Sequence, residues 1–132
     1  FGTVSGYPMN GTRAPHETTL YGLFDRALSF GNVGEHALPQ RYWDRHDELD
    51  LSTPANFVST ADIIGGNSGS PMINREGALV GLVFDGNIES MVGRYAYEEE
   101  HARSLAVHPG YILEALDVLY DAHALVTELL ER

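Results

Sequence analysis

The chain has 132 residues, of which 43% are hydrophobic and 20% charged, and this length and composition predict one globular domain. Its formal net charge of −11, from 8 Lys and Arg against 19 Asp and Glu, argues against nucleic acids and anionic membranes as partners, because both require a basic face. The absence of cysteine excludes disulfides, thiolate catalysis and cysteine-ligated zinc.

The first part of the sequence predicts a short strand with turns, followed by helices. The stretch 1–13, FGTVSGYPMNGTR, is punctuated by glycine and proline, which favour turns. The stretch 16–31, HETTLYGLFDRALSFG, has apolar residues at helical spacing, with a threonine at 18 or 19 as its cap and Gly31 at its end. A second, weaker helix is predicted over residues 38–49, LPQRYWDRHDEL.

The central part of the sequence predicts β-structure. The stretch 57–64, FVSTADII, is typical of a strand, and 103–107, RSLAV, of another. Between them, 71–86, PMINREGALVGLVFDG, predicts a hairpin that turns at Asn74–Gly77. Gly81 inside its second strand indicates a bulge or a close approach of the backbone.

The sequence ends in a predicted helix over residues 108–132, with Pro109 in its first turn and a break near Asp121–His123. We therefore expect an α+β fold in three parts. These are a strand and helical entry region (1–55), a β-rich part (56–107) and a C-terminal helix (108–132).

The segment Gly65–Pro71, GGNSGSP, resembles the nucleophile loop of trypsin-like serine peptidases. Such an enzyme needs a serine that attacks a carbonyl carbon, and backbone N–H groups that stabilise the resulting oxyanion. Glycines on both sides of Ser68 allow the tight turn that aims the N–H groups of Gly66 and Ser68 at one point. The flanking apolar strands support this interpretation over that of an ordinary Gly/Ser turn.

Ser68 is a poor nucleophile unless a histidine accepts its proton, and the sequence offers no evident base. None of the six histidines lies in a motif that marks one. The stretch before Ser68 is predicted as mainly helix and loop, whereas a trypsin-like enzyme carries its histidine and aspartate there, on β-strands. We therefore expect the chain to be part of a longer protein that supplies both, and to be inactive alone.

Two longer segments resemble the bacterial dipeptidyl-peptidases of serine peptidase family 46. They are 59–91, STADIIGGNSGSPMINREGALVGLVFDGNIESM, and 103–117, RSLAVHPGYILEALD. The start of the chain, FGTVSGYPMN followed by TTLYGL, also resembles the family, and residues 30–55 resemble it least. The resemblance identifies the chain as the C-terminal part of such an enzyme. It implies a chymotrypsin-like double β-barrel with an added helical domain, a periplasmic or cell-surface location, a homodimer, and no metal or organic cofactor.

The resemblance also implies roles for individual residues. Ser68 would be the nucleophile, with Gly66 contributing an oxyanion-hole N–H. Asp85 would bind the α-ammonium group of a peptide with a free N-terminus, so that cleavage releases a dipeptide. Gly86 would set the primary specificity pocket, because members with arginine there accept acidic side chains and members with glycine prefer apolar or aromatic ones. The expected substrates are therefore peptides with a hydrophobic second residue.

Asp62 has the spacing before Ser68 of the acid that makes trypsin prefer lysine or arginine, but the resembled family carries an aspartate there without that preference. We interpret Asp62 as structural.

Two other functions are compatible with the sequence. One is a trypsin-fold endopeptidase similar to the glutamyl endopeptidases, whose loops also contain GNSGSP. The other is a non-catalytic C-terminal domain used for dimerisation or as a scaffold.

Overall fold

The computed structural model describes residues 1–96 and 98–131 of the chain. Seven strands and four α-helices follow one another along this described part of the chain. They are β1 (Tyr7–Met9), β2 (Thr12–Ala14), β3 (Glu17–Thr19), α1 (Leu20–Ser29), α2 (Gln40–Asp44), β4 (Pro54–Ser59), β5 (Pro71–Ile73), β6 (Leu79–Gly86), β7 (Ser104–Val107), α3 (Pro109–Glu114) and α4 (His123–Leu130). Short 3-10 helices occupy Gly34–His36, His46–Glu48 and Ile88–Arg94, and a π-helical turn occupies Ala115–Leu119.

Contacts divide the chain into two compact units, each built from two separate stretches. The first unit comprises Phe1–Thr18 and Ala55–Pro109, and the second comprises Thr19–Pro54 and Gly110–Arg132. The three predicted parts (1–55, 56–107 and 108–132) are continuous stretches of sequence, whereas each compact unit combines two stretches that are distant in sequence. The mixture of helices and strands confirms the coarse prediction of an α+β fold.

The first unit is organised around a five-stranded sheet in the order β3-β4-β7-β6-β5. The pairs β4–β7, β6–β7 and β5–β6 are antiparallel. Within the described residues the sheet ends at β3 on one side and β5 on the other, so it does not close into a barrel. Strands β1 and β2 form a separate hairpin, where Asn10 and Gly11 take the positive φ values that a tight turn of this kind requires.

Gly81 in the middle of β6 leaves room for an aromatic ring. A Cβ atom on Gly81 would lie 2.6 Å from ring atoms of Phe57 and 3.1 Å from the Cβ atom of Ala106. Phe57, Val83 and Ala106 are buried, and they form part of the core of the sheet. The predicted close approach at Gly81 is therefore confirmed.

The strand predicted over residues 57–64 ends earlier, at Ser59. Beyond that residue the chain pairs with the N-terminal segment, since the N–H of Thr60 donates to the carbonyl of Thr3 at 3.0 Å and the N–H of Thr3 donates to the Thr60 hydroxyl at 3.0 Å. The apolar residues Ile63 and Ile64 then enter the loop that leads to Ser68. Their β-propensity is overridden because, within residues 1–96 and 98–131, no strand pairs with them.

Arg103 fills a buried position in the first unit with only 5% of its surface exposed. Its guanidinium group donates to the backbone carbonyls of Ser5, Gly6, Glu99 and Ala102 at 2.7–3.0 Å. Burial of a charged group is costly unless its donors are satisfied. These carbonyls satisfy them, and they connect the N-terminal segment to the residues before β7.

The second unit packs its helices around a small apolar core. Thr19 caps α1 by accepting the N–H of Gly22, and Gly31 follows the end of the helix with a φ of 70°, so both predicted boundaries are confirmed. The core is made of the buried Leu20, Phe24, Leu49 and Leu119. The weaker predicted helix is reduced to α2 and a 3-10 turn.

The C-terminal helical region is interrupted, as the sequence predicts. Asp121 has a φ of 51°, in the left-handed region, and α4 begins at His123. The Asp121 carboxylate accepts two hydrogen bonds from the Arg45 guanidinium group, both at 2.8 Å. In the described part of the chain, no helix has both the length and the hydropathy needed to span a membrane.

The acidic loop before β7 is folded around one carboxylate. Glu98 accepts the backbone N–H groups of Glu100, His101 and Ala102 at 2.8–2.9 Å. The hydrogen bond from the His101 N–H is the largest of the causes that lower the pKa of Glu98 from 4.5 to about 2. Hydrogen bonds to the charged form favour ionisation, so the carboxylate stabilises the folded loop only while it is ionised.

Replacing Glu98 with Gln is expected to destabilise the protein at neutral pH and to matter less in acid. Because the folded pKa is depressed, the contribution of the carboxylate is complete above its ordinary pKa of 4.5 and is lost as the pH falls toward 2. Chemical denaturation of the wild type and Glu98→Gln across this range measures the effect. A difference in unfolding midpoint that stays constant from neutral pH down to pH 2 would contradict the prediction.

Candidate active site

The loop that carries Ser68 is built from two successive tight turns. The N–H of Asn67 donates to the carbonyl of Ile64 at 3.1 Å, and the N–H of Ser70 donates to the carbonyl of Asn67 at 2.9 Å. Gly66 and Gly69 are the third residues of these turns, with φ values of 104° and 85°. Positive φ at this turn position favours glycine, which accounts for Gly66 and Gly69.

Hydrogen bonds attach this loop to β6. The N–H of Gly69 donates to the carbonyl of Val83 at 2.7 Å, and the N–H of Val83 donates to the carbonyl of Ser70 at 3.0 Å. The pairing of β6 with β7 shifts register between Val83 and Asp85, which leaves Phe84 as the extra residue of a bulge. The Ser68 hydroxyl donates to the Phe84 carbonyl at 3.3 Å. The loop is thus attached to the end of β6 by the serine itself and by the two residues that follow it.

Ser68 is exposed, and two N–H groups of its loop have no partner among the residues that the structure describes. Within residues 1–96 and 98–131, no oxygen accepts a hydrogen bond from the N–H of Gly66 or of Ser68, whereas the N–H of Asn67 between them is engaged in the turn. A hydroxyl and free backbone donors in one short loop are the components from which a nucleophile and an oxyanion hole are made.

Ser68 and Asp85 line the same cavity, which has a volume of about 620 Å³. Asp85 is exposed near the end of β6, and its Oδ1 atom accepts the N–H of Gly86 at 2.8 Å. Asp62 also lines the cavity and is exposed. Among the lining residues that the structure describes, these two carboxylates are accompanied by no arginine, lysine or histidine. The resulting negative potential favours a cationic ligand group over an anionic one.

Gly86 lies in the wall of this cavity, directly against Ser90. A Cβ atom on Gly86 would lie 2.2 Å from the Ser90 hydroxyl oxygen and 3.1 Å from the Ser90 Cβ atom. The φ of Gly86 is not in the left-handed region, so space rather than backbone conformation favours glycine here. The other cavity-lining side chains are mostly apolar, and they include Ile63, Ile64, Val83, Phe84, Ile88 and Met91.

Asn87 positions this wall, a role that was not predicted from the sequence. It is 9% exposed, and its Oδ1 atom accepts the N–H of Arg103 at 2.7 Å and of Ser90 at 3.2 Å. Its Nδ2 group donates to the His101 carbonyl at 2.7 Å. An asparagine that precedes a short helix is a recognisable cap signal, but the bonds to residues far along the chain have no local sequence signal.

No histidine of the first unit lines the cavity at Ser68. The three in that unit are His16, His101 and His108, and the Ser68 hydroxyl donates to a backbone carbonyl instead. In the second unit, His123 pairs with Asp117 at 2.6 Å, and this hydrogen bond raises the pKa of His123. The structure therefore brings together Ser68, Gly66, Asp85 and Gly86, but it places no histidine of the first unit with them.

Comparison with known proteins gives consistent matches along the chain. The family model described as Peptidase S46 matches residues 1–131. Dipeptidyl-peptidase 7 from Phocaeicola vulgatus is 33% identical over 138 residues, covering 98% of this chain and 19% of the relative. The Asp/Glu-specific dipeptidyl-peptidase from Shewanella putrefaciens is 40% identical over 116 residues, covering 78% of this chain and 16% of the relative.

A solved structure has the same fold over nearly the whole chain. The crystal structure of Porphyromonas endodontalis DPP11 in complex with the dipeptide Arg-Asp superposes with a TM-score of 0.85 and 27% identity, covering 99% of this chain and 20% of that one. The chain thus spans about a fifth of the length of the relatives that it matches so closely. Since the family model matches all but the last residue, the chain belongs to the peptidase family S46.

Proposed function

We propose that this chain carries the nucleophile and the substrate-binding wall of a serine dipeptidyl-peptidase, which releases dipeptides from free N-termini and prefers a hydrophobic or aromatic second residue. The observation that carries the proposal is that one cavity is lined by an exposed Ser68, by Asp85 and by Gly86, with free N–H groups in the serine loop. The family relatives named as dipeptidyl-peptidases support this reaction class.

The proposed chemistry uses each group in a distinct way. The Ser68 oxygen bonds to the carbonyl carbon of the second substrate residue, and the carbonyl oxygen becomes an oxyanion. The N–H groups of Gly66 and Ser68 donate to that oxyanion, which is why their lack of a protein partner matters. The Asp85 carboxylate binds the α-ammonium group, so the peptide is held by its first residue and only the second peptide bond reaches Ser68.

The serine proton must pass to a base, which we propose comes from the rest of a longer protein together with the carboxylate that orients it. The absence of a histidine of the first unit from the cavity lining supports this proposal. From the family resemblance, we also propose that the β-sheet unit is part of one barrel of a chymotrypsin-like double barrel. The periplasmic or cell-surface location and the homodimer stay predictions from the family resemblance.

A fluorophosphonate probe should label the full-length protein at Ser68 and leave the isolated 132-residue chain unlabelled, because an unassisted serine hydroxyl is a weak nucleophile. Mass spectrometry of the labelled peptide measures the site. Ser68→Ala in the full-length protein is the matched control and should abolish the label. Labelling of the isolated chain at Ser68 would overturn the proposal that the base lies elsewhere.

Replacing Asp85 with Asn should remove the requirement for a free N-terminus. The amide keeps the oxygen that accepts the Gly86 N–H, but it loses the charge that pairs with the α-ammonium group. We expect kcat/KM for a dipeptide amide with a free N-terminus to fall about 100-fold, since truncating a charge pair costs several kcal/mol.

The same assay with N-acetylated substrates separates this function from its main alternative. A dipeptidyl-peptidase should cleave the acetylated substrates at least 100-fold more slowly than the free ones, by the same loss of an ion pair. If the wild-type enzyme cleaves both equally well, the protein is an endopeptidase and the role of Asp85 is wrong.

Replacing Gly86 with Arg should shift the preference at the second residue toward Asp and Glu. The wild-type pocket has an apolar lining and two carboxylates, which disfavours an acidic side chain, whereas a guanidinium group would pair with one. We expect the ratio of kcat/KM for an Asp substrate to that for a Leu substrate to rise by about tenfold or more.

Gly86→Leu is the matched control for this substitution, because it adds bulk without charge. It should lower activity on both substrates without favouring the acidic one. A ratio that is unchanged in Gly86→Arg would contradict the assignment of Gly86 to the specificity pocket.

A further inference from the structure

Ser90 occupies the space that any side chain at position 86 would need. Its hydroxyl oxygen lies 2.2 Å from the position of a Cβ atom on Gly86, a distance that two non-bonded atoms do not adopt. The nearest backbone atom, the Arg103 carbonyl oxygen, is 3.5 Å away, which is an ordinary contact. Ser90 is therefore the residue that limits the size of the side chain that position 86 can accommodate.

The position of the Ser90 side chain is fixed by its own hydrogen bonds. Its hydroxyl donates to the Asn87 carbonyl at 2.6 Å, and its N–H donates to the Asn87 Oδ1 atom at 3.2 Å. Asn87 is itself buried and bonded to Arg103 and His101. Ser90 cannot rotate away from Gly86 without losing a short hydrogen bond, so the two residues act as one packed pair.

Both members of this pair line the cavity that contains Ser68 and Asp85. We propose that Ser90 is a second specificity-determining residue, which sets with Gly86 the depth of the pocket for the second substrate residue. This inference rests on the proposed function. Removing the Ser90 hydroxymethyl group deepens the pocket behind Gly86 and favours larger aromatic side chains, while a methyl group at position 86 competes with Ser90 for space.

The test is a double-mutant cycle in the full-length enzyme, with the variants Gly86→Ala, Ser90→Gly and the two combined. Gly86→Ala should lower kcat/KM for a Leu substrate about tenfold, because its methyl group displaces Ser90 into the pocket. Adding Ser90→Gly should restore most of that loss, since contacting residues are not additive. Ser90→Gly alone should raise the kcat/KM ratio of Phe to Leu substrates several-fold.

Two further variants keep the result interpretable. Ser90→Ala removes the oxygen at 2.2 Å but keeps the Cβ atom at 3.1 Å, so it should rescue Gly86→Ala only partly. It replaces Ser90→Gly in the cycle if the glycine variant does not fold. Ser29→Ala, at an exposed serine at the end of α1, should give no rescue. The ratio of two substrates does not depend on the amount of folded enzyme, so a merely structural role of Ser90 would leave it unchanged.

The outcomes separate this inference from the proposed function. An active wild-type enzyme whose variants are strictly additive, with an unchanged Phe to Leu ratio, overturns the role of Ser90 and leaves the dipeptidyl-peptidase proposal standing. A wild-type protein that releases no dipeptide from any free N-terminus overturns both.

Discussion

The side-chain amide of Asn87 is the contact on which the wall of the cavity beside Ser68 depends. It holds the N–H of Arg103 and the carbonyl of His101, and the backbone N–H of Asn87 donates to the Arg103 carbonyl at 2.9 Å. These bonds keep β6 and the chain before β7 together beyond the end of the strand ladder. Loss of the amide would leave buried donors and acceptors unsatisfied, which costs more than the bonds themselves contribute.

Arg103 connects the hydrogen bonds of Asn87 to the N-terminal segment. The backbone of Arg103 pairs with Asn87, and its guanidinium group reaches the carbonyls of Ser5 and Gly6. In the described part of the chain, this buried cation forms hydrogen bonds with carbonyls and no ion pair with a carboxylate. The planar fork of an arginine can satisfy several carbonyls at once, which a lysine ammonium group cannot do with the same geometry.

Features that depend on local chemistry could be predicted from the sequence. The cap at Thr19, the hairpin turn at Asn74–Gly77 and the break at Asp121 each follow from residues within a few positions of one another. The glycines around Ser68 likewise predict the tight turns of the loop, because these turns require positive φ values. Such signals are strong because the conformation that they require is available to few residue types.

Features that depend on distant partners could not be predicted. The strand expected over residues 57–64 stops at Ser59, because pairing with the N-terminal segment replaces the ladder. The importance of Asn87 and Ser90 comes from contacts with Arg103 and Gly86, and no pattern in the sequence shows that these residues meet. The sequence predicted Ser68, Asp85 and Gly86 as site residues, whereas the contacts of Asn87 and Ser90 required the structure.

The attachment of the serine loop to Val83 has a consequence for how such a family can diverge. Val83 is bonded to Gly69 and Ser70, and Gly86 lies three residues further along β6, at most about 10 Å away for an extended chain. The bonds between Val83 and the serine loop are made by the backbone, and they involve neither Gly86 nor Ser90. Under the proposed roles, Gly86 and Ser90 can change together to accept different peptides, while the backbone bonds that hold the serine loop stay the same.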